Sequence, residues 1–287
     1  MEVRLPFGFR KGDNIFDICQ VRGLTGKEAT LLYDAKKQAS MMKDILNACV
    51  VKICDSEGVE YKELREAVNG LTLEDRDCIL IAIRKATWNS DIYILHNECP
   101  SCGVTQSVDV NLVDSFPIKY PEKVYSWEAD VLGMKFVFKL LTVKEENEGN
   151  ISLLNRVEQE AKQELLKNAK MSPEQQQIMV RLKMNEMLNV GKIFQEHLAK
   201  IVVSVDGKPI KNVDDIEALP LPVVQEIGEV WMNTKPQGGV DLNINVTCGK
   251  CGEKHQQHLF EASGSSVGLS GIVHFFGIKP PNSAVTR

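Results

Sequence analysis

The spacing of apolar residues along the chain changes several times, and each change predicts an element. Across residues 3–21 apolar and polar positions alternate loosely, with Gly8 and Gly12 between them, which predicts short strands and a turn. In "GLTGKEATLL" (23–32) Thr25 and Glu28 have the spacing of a capping box, so a helix starts there. Leu31, Leu32, Ala35, Ala39, Met42, Ile45 and Leu46 continue at helical spacing. "GLTLEDRDCILIAIRKA" (70–86) repeats the device with Thr72 and Asp75, and Ile79, Leu80 and Ile83 form its apolar stripe. The shared opening is read as common capping chemistry and not as a repeat.

Period-two alternation returns in "DIYILHNE" and "TQSVDVNL", where Val108, Val110 and Leu112 mark a half-buried strand. "VYSWEADVLGMKFVFKLL" (124–141) predicts a hairpin turning near Leu132 and Gly133. Residues 142–199 are helical in pattern, with Leu154, Val157, Ala161 and Leu165 on one face. "MSPEQQ" then restarts the helix with Ser172 as cap, Pro173 at the first helical position and Gln175 closing the box; Ile178, Leu182, Met187 and Leu188 follow. Two antiparallel helices, or one kinked pair, fit this stretch. Beyond it come a strand with an Asp206–Gly207 turn, a short helix burying Val223, Val224, Ile227 and Trp231, and a last strand–turn–strand unit in "VDLNINVTCGKCGEKHQQHLF".

Composition narrows the function classes. The 287 residues are 43% hydrophobic and 25% charged, enough for a substantial core. A net charge of −5 gives no electrostatic footprint for nucleic acid or an anionic membrane. No apolar run approaches the ~18 residues of a membrane span, and "MEVRLPFGFRKGDN" has no signal-peptide pattern. Synthesis in a reducing cytoplasm is expected. The sequence carries no phosphate loop, dinucleotide fingerprint, Gly-x-Ser-x-Gly or His-Glu-x-x-His. Glu145, Glu146 and Glu148, and Asp214 with Asp215, read as solvated surface rather than as catalytic acids.

Cysteine spacing carries the sharpest chemistry. Cys99 and Cys102 stand in "ECPSCG", Cys248 and Cys251 in "TCGKCG", each pair between strand-like runs and each followed by glycine. A structural zinc takes four soft ligands in a tetrahedron, and each Cys-x-x-Cys offers two. One shared site therefore uses both pairs. The intervening residues 103–247 are no obstacle if they fold themselves, because closure entropy grows logarithmically with loop length. Three alternatives remain: a thioredoxin-like redox pair, which the trailing glycine suits poorly; metal-free thiol pairs; and separate metal sites recruiting His96, His255 or His258. Those histidines are read as surface or packing residues. Cys19, Cys49, Cys54 and Cys78 are read as small core residues.

The segment "GLTLEDRDCILIAIRKATWNSDIYILHNECPSCGVTQSVDVNL", together with "VRGLTGKEATLL" upstream, resembles the baseplate hub and hub-assembly proteins of T4-like contractile-tailed bacteriophages. The resemblance covers about residues 21–143. It implies a structural or assembly role in a tail baseplate and no catalysis. It also implies partners among other baseplate, tail-tube or tape-measure proteins in a multi-copy assembly, and a place in the virion tail.

The expected fold is α+β: helices plus short antiparallel strands, with a four-cysteine zinc ribbon formed by the two distant knuckles. The expected divisions are 1–90 (strands and helices), 91–141 with 201–262 (ribbon), 142–200 (helical insertion) and 263–287 (tail). Its "IVHFFGI" is either a docking segment or part of the core. The site is Cys99, Cys102, Cys248 and Cys251 holding one structural zinc. Two rivals stand beside it. A nucleic-acid-binding zinc ribbon would need basic flanks, whereas Glu98, Asp109 and Asp114 flank the first knuckle, and Glu253 offsets Lys250 and Lys254 at the second. An enzyme using the ribbon as a brace would need a convergent polar pocket.

Overall fold

A computed structural model describes residues 1–33, 40–166, 179–180, 190–260 and 275–276. The chain forms two compact units, one from 1–123 with 237–287, the other from 124–236. Both mix helices with short antiparallel sheets.

The first unit begins with β1 (Glu2–Lys11) and β2 (Asn14–Val21), paired antiparallel through a two-residue turn at Gly12 and Asp13. A register shift between Arg4 and Phe9 bulges β1. The helix expected from Thr25 is shorter than its pattern: α1 (Gly26–Ala29) gives way to a 3-10 turn over Thr30–Tyr33. Ala35 and Ala39 lie outside the described residues. α2 (Met41–Cys49) then buries Met41, Ile45, Leu46 and Cys49 and leads into β3 (Val50–Cys54), the third strand of the β1-β2-β3 sheet. α3 (Leu64–Gly70) and α4 (Leu73–Trp88) follow.

α4 is the central helix of this unit. Burial extends beyond the expected stripe to Cys78, Ile81, Ala82 and Arg84. Thr72 caps it as the pattern requires, and Asp75 completes the box. The fully buried Asp75 carboxylate also accepts the backbone N–H of Phe7 (2.9 Å) and Gly8 (3.0 Å), so the helix cap holds the β1 bulge. Burial lifts its pKa to about 6, against the pull of the Phe7, Gly8 and Thr72 donors. The helix ends on Asn89 in the left-handed conformation. β4 (Ile92–Glu98) and β5 (Thr105–Asn111) then form the first cysteine hairpin.

The second unit opens with β6 (Ser126–Val131) and β7 (Met134–Lys139), turning through Leu132 and Gly133 as expected. α5 (Val143–Leu166) and α6 (Val190–Ile201) pair antiparallel: Arg156 bonds Glu196 at 3.3 Å, and Gly149 lies beside Lys200. The predicted restart at Ser172, Pro173 and Gln175, with Ile178, Leu182, Met187 and Leu188, lies outside the described residues. β8 (Val202–Val205) and β9 (Lys208–Pro209) complete a sheet ordered β6-β7-β8-β9. α7 (Val213–Glu217) and α8 (Leu221–Thr234) follow. Val223 and Ile227 are buried, Val224 and Trp231 half-buried, with the Trp231 indole donating to the Lys139 carbonyl. Two acids read as solvated surface have local work: Glu145 accepts from Thr142, and Asp215 from Asn212, at helix starts.

The chain returns to the first unit and forms β10 (Asn243–Thr247) and β11 (Lys254–His258), the second cysteine hairpin. The outgoing and returning passes are stitched together inside this unit. Lys119 and Gly239 exchange backbone hydrogen bonds of 2.8 and 3.0 Å. A side chain on Gly238 would meet Pro121 at 2.5 Å and Phe7 at 2.9 Å, so only glycine allows this approach. From the tail, Phe275 and Phe276 are buried; Phe275 packs on Tyr93 and Phe260, and the Trp88 indole donates to the Phe276 carbonyl. For these two residues the core alternative holds. They help enclose Arg84, whose buried guanidinium faces the Trp88, Tyr93 and Phe275 rings at 5.1, 5.6 and 6.0 Å.

Asp75→Asn should lower the unfolding free energy by about 3 kcal/mol, because one of the two acceptor oxygens becomes an NH2 group set against buried backbone donors. Thr72→Val, which removes the cap hydroxyl alone, should cost about 1 kcal/mol. Urea titration of both variants checks the ranking.

Candidate metal centre

Each cysteine pair occupies the turn of a two-stranded hairpin. In the first, the Cys99 amide donates to the Val104 carbonyl (2.9 Å) and the Gly103 amide to the Cys99 carbonyl (2.9 Å). In the second, the Cys248 amide donates to Glu253 (2.8 Å) and the Gly252 amide to Cys248 (2.9 Å). Gly103 and Gly252 have φ of 66° and 76°, the left-handed region that favours glycine, which is why each pair is followed by one. The strand registers match as well: Glu98 opposes Thr105, and Thr247 opposes Lys254.

The two knuckles meet. All four sulfurs lie within 4.8 Å of one another. Cys99 Sγ is 3.6 Å from Cys251 Sγ, and Cys102 Sγ is 3.7 Å from Cys248 Sγ. These separations exceed a disulfide bond of about 2.05 Å. They match the edge of a tetrahedron with metal–sulfur bonds of about 2.3 Å, which is about 3.8 Å. Cys99 and Cys248 are buried, Cys102 half-buried and Cys251 exposed. The donor set suits zinc or another thiophilic ion and fills all four positions with protein ligands.

Within the second knuckle the Cys251 and Lys250 amides point at the Cys248 sulfur and lower its pKa to about 6, favouring the thiolate there. Against the pull of the Glu253 amide, hydrogen bonding to Cys248 raises Cys251 to about 12. Burial pushes Cys19 up to about 12 and Cys49 up to about 11, and raises Cys54 and Cys78. These four are core thiols, as their isolated positions suggested. Cys78 also lines a cleft of about 420 Å³ beside residues 1–4 and 112–120, where desolvation leaves it a poor nucleophile.

Among the described residues no histidine belongs to the sulfur cluster. His96 Nδ1 lies 2.9 Å from Ser107 Oγ, His258 Nδ1 accepts from the Phe260 amide, and His255 Nε2 lies 2.7 Å from the Asn97 amide. Asn97 and Gln106 reach the other hairpin, a role the sequence pattern did not reveal. Their strand period is ordinary, and only the assembled hairpins show what faces them.

The fold and the sulfur cluster together describe an α+β protein in which two distant cysteine hairpins meet in a four-sulfur cluster consistent with a zinc site. The sequence model of the family described as T4 bacteriophage base plate protein matches residues 14–264. The chain belongs to that family. No curated protein and no solved structure matches it. Family membership points to a structural part of a phage baseplate in the virion tail, in contact with other baseplate components, and not to an enzyme. No described helix is long and apolar enough to cross a membrane.

After chelation, alkylation at neutral pH with peptide mass spectrometry should label Cys248 at least about tenfold faster than Cys19, Cys49 or Cys78.

Proposed function

We propose that this chain is a component of the hub or wedge region of a contractile tail baseplate, acting through protein–protein contacts, with one structural zinc held by Cys99, Cys102, Cys248 and Cys251. The observation that carries this is the closed four-sulfur cluster in a chain of the base plate family. A site with four protein ligands leaves no position for substrate or water, so the metal stabilises the fold and does not catalyse. The helices Val143–Leu166 and Val190–Ile201 belong to a helical insertion within the stretch separating the knuckles. The partners are neighbouring baseplate, tail-tube or tape-measure subunits in a multi-copy assembly, met after synthesis in the host cytoplasm.

The acidic balance of the chain and the carboxylates at both knuckles favour this role over nucleic-acid binding. Purified protein should contain one zinc per chain by elemental analysis. Cys99→Ser and Cys248→Ser should each remove most of it and lower thermal stability, because metal binding is coupled to folding. An unchanged zinc content in Cys248→Ser would refute the shared site. Mass spectrometry of purified tails should find the chain; its presence in lysates but absence from tails would make it an assembly factor instead.

A further inference from the structure

The two cysteine hairpins correspond position by position around their turns, and a departure from that correspondence points to what positions the ligands. At a constant offset of 149 residues, Cys99 corresponds to Cys248 and Cys102 to Cys251. The turn hydrogen bonds, the glycines and the strand registers correspond at the same offset. The two close sulfur contacts also exchange with each other. At this offset Gln106 corresponds to His255, each four residues beyond its second cysteine.

Both side chains cross to the opposite hairpin. Gln106 spans Cys248: its Nε2 donates to the Thr247 carbonyl (3.1 Å), and its Oε1 accepts the Gly249 amide (2.9 Å). The equivalent grip by residue 255 would need an amide at position 100. That residue is Pro100, which has no N–H to give. Position 255 is a histidine instead, and it reaches the fully buried Asn97, two residues before Cys99. The strands of the two hairpins belong to separate two-stranded sheets, so strand pairing does not set the spacing between the knuckles.

We propose that Gln106 and His255 are the positioning residues of the metal site, each holding the opposite knuckle so that four cysteines from distant chain segments form one tetrahedron. This rests on the zinc site proposed above. Gln106 acts on the backbone either side of Cys248, while His255 acts through Asn97 on the strand leading to Cys99. Neither touches the metal.

The test measures zinc affinity of the full-length chain by competition with a metallochromic chelator. Gln106→Met keeps the side-chain length and removes both hydrogen bonds. Gly249→Pro removes the partner amide and also fixes φ there, with the residue that position 100 carries naturally. Gln106→Met and His255→Ala should each weaken zinc binding by about 10- to 100-fold while stoichiometry stays at one per chain. Gly249→Pro should weaken it in the same sense. The Gln106→Met/Gly249→Pro double variant should fall within about twofold of Gln106→Met alone, because that substitution already removes the bond that Gly249→Pro breaks. Wild-type zinc affinity in Gln106→Met would overturn the positioning role with the metal site intact. A wild-type chain that takes up no zinc would instead overturn the site itself.

Discussion

The first unit depends on closing the chain upon itself after a long excursion. Residues 99–102 and 248–251 must meet although residues 103–247 lie between them. On the logarithmic law, closing a flexible loop of that length costs a few kcal/mol. The chain reduces that cost in stages. The Lys119–Gly239 exchange and the close pass of Gly238 against Pro121 and Phe7 pair the outgoing and returning strands before the knuckles are reached. What remains for the cysteines is a short closure at each hairpin tip, where a tetrahedral ion is an effective cross-link. A metal bound only by the closed arrangement would add its binding energy to that of the fold.

A second constraint is electrostatic. Buried polar groups are costly unless bonded, and here they are placed where they tie separate elements together. Asp75 caps α4 and holds the β1 bulge through the Phe7 and Gly8 amides. Glu28 accepts from Arg22 and from Thr25, and those donors hold its carboxyl well below the usual range. Arg84 sits among aromatic faces that include the C-terminal Phe275. The same rule acts on the isolated cysteines: burial keeps Cys19, Cys49, Cys54 and Cys78 protonated, whereas amide donors favour the thiolate at Cys248 and leave its partner Cys251 raised.

Much of this was legible in the sequence because it is local. Capping boxes at Thr25 and Thr72, turns at Leu132–Gly133 and Asp206–Gly207, and glycine after each knuckle all follow from residues within a few positions of one another. Thiol spacing and zinc chemistry together paired the distant knuckles. What stayed hidden was long-range. Asp75 reads as a cap, and nothing near it points to Phe7. The run of burial round α4 exceeds its apolar stripe because sheet, loops and C-terminal aromatics cover it from several sides. Gln106 and Asn97 look like ordinary strand residues until the opposite hairpin is in place.

The asymmetry between Pro100 and Gly249 bears on what the clasp is for. A redox pair or an open catalytic site needs access to at least one sulfur or one coordination position. Here the scaffold directs its hydrogen bonds to the backbone around the knuckles, and all four positions of a tetrahedron are supplied by the chain. Such a centre gains from rigidity. A baseplate part gains from the same property, since it must present a fixed surface to its neighbours. A centre closed by four protein ligands offers no position to a substrate, so the cysteine motif itself marks no catalytic surface. That is why the most distinctive motif in the chain reports on its architecture while its partners are reached through family membership.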